Sequence, residues 1–224
     1  DLQTKNLTKL TNNLFYDGYP NPFSIEKSFN ISSNSNDIIR KKLNIPQKKK
    51  IILYQGWLLN GRGIEILIEL IKKMNDFVLV LIGEGEQKSK FIQSAGNLLN
   101  NKIFFLDAIP YNELHSITCS ADLGAALFEP LSLSYKLALP NKLFEYAMAE
   151  IPIIASDLPA IRNIYDEFEF GSLIQTDFNL ENIINQINNI IINQDYYLEN
   201  IKKMKSKYNY DNQIHILNKI FEVN

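Results

Sequence analysis

The spacing of apolar and polar positions changes character at Ile51. Before it, residues 1–46 are polar and broken by Gly18, Pro20, Pro22 and the stretch Ser32 to Asn36, so they are expected to be linker or irregular cover. A short helix is expected near Asp37–Leu43, with Arg40, Lys41, Lys42 and then Lys48 to Lys50 forming a solvated basic face. From Ile51 on, short apolar runs alternate with longer amphipathic segments, the pattern of a parallel sheet wrapped by helices. The spacing predicts strands at Ile51–Gln55, Phe77–Ile82, Ile103–Leu106, Asp122–Leu127, Ile153–Ser156 and Gly171–Ile174. Between them, Ile64, Leu67, Ile68 and Ile71 recur at helical spacing, as do Leu180, Ile183, Ile184, Ile187 and Ile191. Helices are expected again near Tyr196–Tyr208 and Asp211–Val223. The expected fold is α/β, a Rossmann-like parallel sheet with flanking helices, over 47–194, with 195–224 as carboxy-terminal helices.

In such a sheet, ligands gather at the carboxyl ends of the strands, where turns and helix amino termini converge. The first turn reads Tyr54-Gln55-Gly56-Trp57-Leu58-Leu59-Asn60-Gly61-Arg62-Gly63. Its glycines let backbone approach a ligand closely, the following helix presents unpaired amides to an anion, and Arg62 adds a charge. The Lys-Ser/Thr ending of a Walker loop is absent, which argues against magnesium-dependent ATP hydrolysis. Gly83 and Gly85 follow the next strand, but with Glu84 and Glu86 beside them they read chiefly as a tight turn.

The segment Leu139-Pro140-Asn141-Lys142-Leu143-Phe144-Glu145-Tyr146 carries the most chemistry. Pro140 suits the first turn of a helix, leaving the amides of Asn141, Lys142 and Leu143 to meet a diphosphate. Lys142 supplies a mobile cation for charge that develops as a sugar–phosphate bond breaks. Glu145 is an acceptor for vicinal hydroxyls such as those of a ribose. On these residues alone, a surface helix with an ordinary lysine and glutamate stands as the alternative.

Composition narrows the field without choosing within it. With 46% hydrophobic and 21% charged residues and a net charge of -2, the chain reads as globular and gives no reason to expect nucleic-acid binding. Cys119 is the single cysteine, and Cys/His pairs at metal-ligand spacing are missing, so no structural metal or cofactor is expected and the cytoplasm is the expected compartment. His115 and Cys119, without a partnering Asp or Ser nearby, read as packing or surface.

At this point the sequence resembles the carboxy-terminal domain of the GT-B glycosyltransferases, specifically the retaining family GT4. The resemblance rests on Pro140-Asn141-Lys142-Leu143-Phe144-Glu145-Tyr146, then Ala149, Pro152 and Ala155-Ser156-Asp157-Leu158-Pro159. It extends over about 21–224 through Gly56, the Arg62-Gly63 turn, Ile82-Gly83, Phe105-Leu106 and Ala121-Asp122. It implies one half of a GT-B fold that binds a nucleoside-diphosphate sugar without metal. Glu145 would hold the ribose, and the Asn141–Leu143 amides with Arg62 and Lys142 the diphosphate. Gly56, Gly61, Gly63 and Gly83 would shape the turns, and backbone near Ala108 and Ile109 would border the base.

The chain departs from the family at two places. Leu137 stands where a first glutamate is usual, with Glu129 and Tyr135 as candidate substitutes, and Trp57 stands where an arginine is frequent. The resemblance also implies an amino-terminal acceptor domain that nothing before Ile51 can supply, in cis or as a separate subunit. The last helices are expected to pack towards it, with Ile214, Leu217 and Phe221 marking the interface, and membrane-surface association is expected only through that absent half. The implied role is sugar transfer to a glycan or lipid-linked acceptor in bacterial surface polysaccharide synthesis. A non-catalytic GT-B-like scaffold and a sugar-nucleotide epimerase are the alternatives.

Overall fold

The computed structural model describes residues 37–209 and 212. All six expected strands form: β1 (Lys50–Gln55), β2 (Phe77–Ile82), β3 (Ile103–Leu106), β4 (Leu123–Ala126), β5 (Ile153–Ser156) and β6 (Gly171–Ile174). They pair in parallel in the order β3-β2-β1-β4-β5-β6. Such a sheet is covered on both faces, which is why its strands are near-continuous apolar runs. Along β1, Ile51 and Leu53 enter one core while Ile52 and Tyr54 enter the other.

The helices divide between those two faces. α2 (Ile64–Lys73), α3 (Lys88–Ala95) and α8 (Leu180–Ile192) bury Leu67, Phe91 and Ile187 with the Ile52 side of the sheet. On the Leu53 side lie α1 (Ile38–Leu43), α4 (Tyr111–Thr118), α6 (Asn141–Met148), α7 (Pro159–Phe168) and α9 (Gln194–Lys207), contributing Ile39, Ile117, Phe144, Ile161 and Ile201. The four-residue α5 (Leu133–Lys136) lies in the long connection from β4 to α6. The chain reverses its winding between β1 and β4, so the carboxyl ends of those strands flank the switch point.

Several expectations need correction. Residues 37–46 are not linker: Ile39 and Ile45 are buried in the core. Nor does the whole basic cluster face solvent. Arg40 is buried, its Nη2 2.6 Å from Asp122 Oδ2 and its Nη1 donating to the Lys49 carbonyl at 2.7 Å, while Lys50 Nζ lies 3.0 Å from Asp122 Oδ1. Lys41, Lys42 and Lys48 are the exposed remainder. The reason is Asp122, whose Oδ2 also accepts the Ile51 amide at 2.9 Å; a carboxylate sunk beside β1 needs these donors. Asp122 thereby falls outside β4, which starts one residue later than expected.

The carboxy-terminal helix α9 packs on α6 and α7 of this same domain, with Ile201 and Met204 fully buried. The second expected helix, Asp211–Val223, with Ile214, Leu217 and Phe221, lies outside the described residues. Among the described residues no helix is long and apolar enough to cross a membrane.

Candidate functional site

The turns after β1, β2 and β3 meet at the carboxyl edge of the sheet. Gly56 N–H donates to the Ile82 carbonyl at 2.9 Å, and Gly83 N–H to the Leu106 carbonyl at 3.0 Å, so each turn is tied to its neighbour. Gly83 has φ +145°, and a Cβ there would collide with the Gly56 carbonyl oxygen. Its glycine is needed for two backbones to touch within the tight turn expected there.

Above these turns opens a cavity of about 380 Å³. Its wall is made by Gly56 and Trp57, Gly83 and Glu84, and Ala108 and Ile109, one pair from each turn. Ile82, Leu114, Gln55 and Glu145 complete it. Five residues singled out in the sequence (Gly56, Gly83, Ala108, Ile109 and Glu145) thus converge on one space, although they are spread over 90 positions of chain.

α6 aims its amino terminus at this region. Pro140 is the cap residue rather than the first helical one, with φ -78° and ψ 139°, and the helix starts at Asn141. The Leu143 amide is already spent on the Pro140 carbonyl at 3.1 Å, which leaves the amides of Asn141 and Lys142 as the outward donors. Asn141 is exposed, whereas Leu143 is buried in the core.

Lys142 is not the mobile cation expected. It is 8% exposed, and its Nζ has no hydrogen-bond partner and sits 3.5 Å from the centre of the Tyr54 ring, directly beneath Gly56. A Cβ at Gly56, which has φ +127°, would stand 3.6 Å from that nitrogen. On the Gly56 side the ammonium is therefore covered by backbone, and on the other by the Tyr54 ring. Burial, then repulsion by Arg62, pulls the Lys142 pKa down to about 7 against the opposing pull of Glu145. Burial likewise pushes the Tyr54 and Tyr146 hydroxyls up, so both stay neutral.

Arg62 does not line the cavity. Its guanidinium stacks on Phe128 and Tyr135, with Cζ 4.6 and 4.8 Å from the ring centroids, and its Nε is buried without a partner. Tyr135 acts as a wall for this turn rather than as a carboxylate substitute: its ring would lie 2.6 Å from a Cβ at Gly61, and its hydroxyl donates to the Asn60 carbonyl at 3.3 Å. Gly63 is pressed against Leu127, so the Gly61–Gly63 glycines serve packing between the β1 turn and the β4 connection. Leu137 is half-exposed, and Glu129 donates its amide to the Gly61 carbonyl at 3.0 Å.

Sequence reasoning missed the polar chain that orients Glu145. Thr118 Oγ1 donates to Gln55 Oε1 at 2.8 Å, and Gln55 Nε2 donates to Glu145 Oε2 at 2.5 Å, so the carboxylate is held against the end of β1. Tyr146, fully buried, accepts the Gln55 amide at 3.2 Å and lies 3.1 and 3.3 Å from the carbonyl oxygens of Leu53 and Ala125, bridging β1 and β4 at the switch point. A Cβ on Gly124 would run into its ring, so that glycine makes the room. The available signal was a glutamine closing an otherwise apolar strand. His115 and Cys119 are buried together, Nε2 to Sγ 3.6 Å, in keeping with a packing role.

A strand order that reverses at a ligand-sized cavity, a helix amino terminus and a held carboxylate meet at this edge of the sheet, and the comparisons give the family. The profile of the family described as glycosyl transferases group 1 matches residues 35–218. The chain belongs to that family. The putative teichuronic acid biosynthesis glycosyltransferase TuaC of Bacillus subtilis (strain 168) is 24% identical over 150 residues, covering 66% of this chain and 35% of that protein. The putative colanic acid biosynthesis glycosyl transferase WcaI of Escherichia coli (strain K12) is 32% identical over 101 residues, covering 41% of this chain and 24% of that one. The crystal structure of Anabaena Alr3699/HepE in complex with UDP and glucose superposes with a TM-score of 0.68 at 17% identity, over 91% of this chain and 55% of that one. This glycosyltransferase domain therefore has the fold of one half of a GT-B enzyme, and it spans about a third or less of the length of these two curated relatives.

Proposed function

We propose that the chain is the donor-binding domain of a two-domain, GT4-type retaining glycosyltransferase, which passes a sugar from a nucleoside diphosphate to a glycan or lipid-linked acceptor in bacterial surface polysaccharide synthesis. A second Rossmann-like domain, in cis or as another subunit, would hold the acceptor on the cytoplasmic side of a membrane. The observation that carries the reading is the cavity in which Glu145 faces the β1, β2 and β3 turns, with an unpartnered ammonium under Gly56. Support comes from relatives named for teichuronic and colanic acid synthesis and from a similar fold crystallised with UDP-glucose.

The roles are those the resemblance implies for these positions. Backbone at Ala108 and Ile109 borders the base, and Glu145, oriented by Gln55, accepts the ribose hydroxyls. The Asn141 and Lys142 amides and the Lys142 ammonium receive the diphosphate. When the bond from the sugar to the β-phosphate breaks, its electron pair stays on the phosphate oxygen. A cation already buried beside that oxygen stabilises it more than a solvated one, since the local dielectric is low and nothing must reorganise. Arg62, clamped by two aromatic rings, adds a fixed positive field from the rear.

Calorimetry of the chain with UDP, GDP, UDP-glucose and GDP-mannose tests this. Nucleoside-diphosphate binding is expected, and Glu145→Ala should weaken it by roughly ten-fold through the loss of a charge-assisted hydrogen bond. Binding of none of the four ligands would reject the donor-site reading in favour of a non-catalytic scaffold. No sugar transfer is expected from this chain without the acceptor domain.

A further inference from the structure

Thr118, the last residue of α4, does not line the donor cavity, yet it begins the polar chain that ends on Glu145. Its hydroxyl oxygen lies 2.8 Å from Gln55 Oε1 and also 2.8 Å from the Leu114 carbonyl oxygen, four residues back on the same helix. Both neighbours are acceptors, and a threonine hydroxyl carries one hydrogen, so it can donate to only one of them. Thr118 is 1% exposed and Gln55 3%, which keeps bulk water from supplying a second donor.

The choice is made at the far end of the chain. Gln55 approaches Glu145 Oε2 to 2.5 Å, and an ionised carboxylate only accepts, so the amino group of the Gln55 amide must face it. The amide oxygen then faces Thr118, and it is satisfied only if the hydroxyl turns from Leu114 and donates to it. Were the hydroxyl to serve Leu114 instead, the amide would have to reverse: its nitrogen would donate to Thr118 Oγ1, and its oxygen would stand against the oxygen of the carboxylate. The backbone cannot absorb that conflict, because Gln55 ends β1 and its own amide is held by the Tyr146 hydroxyl at 3.2 Å. Reversal of the side-chain amide is thus the freedom that the Thr118 hydroxyl removes.

We infer that Thr118 is a positioning residue for ribose recognition: through Gln55 it keeps the Glu145 carboxylate in the orientation that two vicinal hydroxyls can meet, without touching the ligand itself. Thr118 thereby sets how strongly the site prefers a ribonucleotide to one lacking those hydroxyls. This rests on the donor-site reading above, in which Glu145 receives the ribose. Base and diphosphate are held there by other groups, at Ala108 and Ile109 and at the start of α6, so loss of the hydroxyl should be felt at the ribose alone.

Calorimetry of the chain with UDP and GDP, and with their 2′,3′-dideoxy counterparts, reads that preference. The parent should favour the ribonucleotide by about ten-fold, the worth of hydrogen bonding to a charged group. Thr118→Val keeps the branched shape and deletes the hydroxyl; the preference should drop to about three-fold or less, with the affinity for the dideoxy nucleotide unchanged. Thr118→Ser should restore it. Denaturant unfolding shows whether the valine is accommodated, and Thr118→Ala answers the same question if it is not. Three results overturn the inference and leave the donor site standing: an undiminished preference without the hydroxyl, an equal loss of affinity for both forms of the nucleotide, or no rescue by serine. A parent that binds UDP or GDP with no preference for the ribose form takes Glu145 away from the ribose, and Thr118 with it. If neither UDP nor GDP binds the parent, the donor-site reading itself falls.

Discussion

Replacing Lys142 with methionine isolates the most unusual electrostatic feature of the domain. The unfolded chain keeps this lysine protonated up to its ordinary pKa of 10.5, whereas in the fold burial and the Arg62 charge lower the value to about 7. The groups around it are Arg62 in the turn before α2, the rings of Tyr54 and Phe128, and Glu145 on its own helix; the Glu145 carboxylate and the faces of the rings favour the ammonium, and burial and Arg62 oppose it. Between the two pKa values the unfolded state binds more protons than the folded one, so stability must rise with pH there. The slope approaches about 1.4 kcal/mol per pH unit, which amounts to roughly 2 kcal/mol between pH 7 and pH 9. Below pH 7 both states carry the charge and the full penalty is present.

Lys142→Met keeps the aliphatic packing over Tyr54 and removes the titration. At pH 7 the variant should be more stable than the parent by about 1–4 kcal/mol, as found when buried charge is exchanged for apolar volume. That advantage should shrink by roughly 2 kcal/mol at pH 9. Denaturant unfolding at several pH values up to 9 measures both, and stops short of the range in which Tyr54 and Tyr146, with pKa values pushed up by burial, begin to act in the opposite sense. Lys102, also lowered by burial, is present in both proteins and cancels in the difference. A gap between the two proteins that stays constant from pH 7 to pH 9 would refute the reasoning.

Two further outcomes are expected. If a diphosphate lodges beside Lys142, binding of UDP-glucose at pH 7.5 should take up roughly 0.8 of a proton and weaken about ten-fold from pH 6 to pH 8; calorimetry in buffers of different ionisation enthalpy measures the uptake, and zero uptake would separate Lys142 from the phosphates. On the opposite edge of the sheet, Asp122→Ala leaves Arg40 buried without its carboxylate and should cost about 3–5 kcal/mol, against less than about 0.5 for Lys48→Ala on the exposed part of the same basic stretch. Similar denaturation midpoints for the two variants would contradict the assigned pairing.

The sheet was legible in the sequence because its strands are covered on both faces. Phe77–Ile82 has no polar position to leave its identity in doubt, and the stripe from Leu180 to Ile191 is spaced as a helix on such a sheet must be. That the turns carrying Gly56, Gly83 and Ala108 gather at one edge was legible too, since a parallel sheet sends every strand-to-helix turn there.

Burial and partnership were decided by the tertiary structure. Arg40 and Lys41 are adjacent and chemically alike in the sequence, yet one is sealed against Asp122, 82 positions away, and the other is in solvent. Lys142 reads as a flexible cation until Tyr54 and Gly56 are placed around it, and Arg62 as a free charge until Phe128 and Tyr135 close on it. Local pattern fixes which face of an element seeks the core, because that depends on neighbours three or four residues apart. The dielectric around a charge depends on atoms brought from distant parts of the chain, and only packing supplies them.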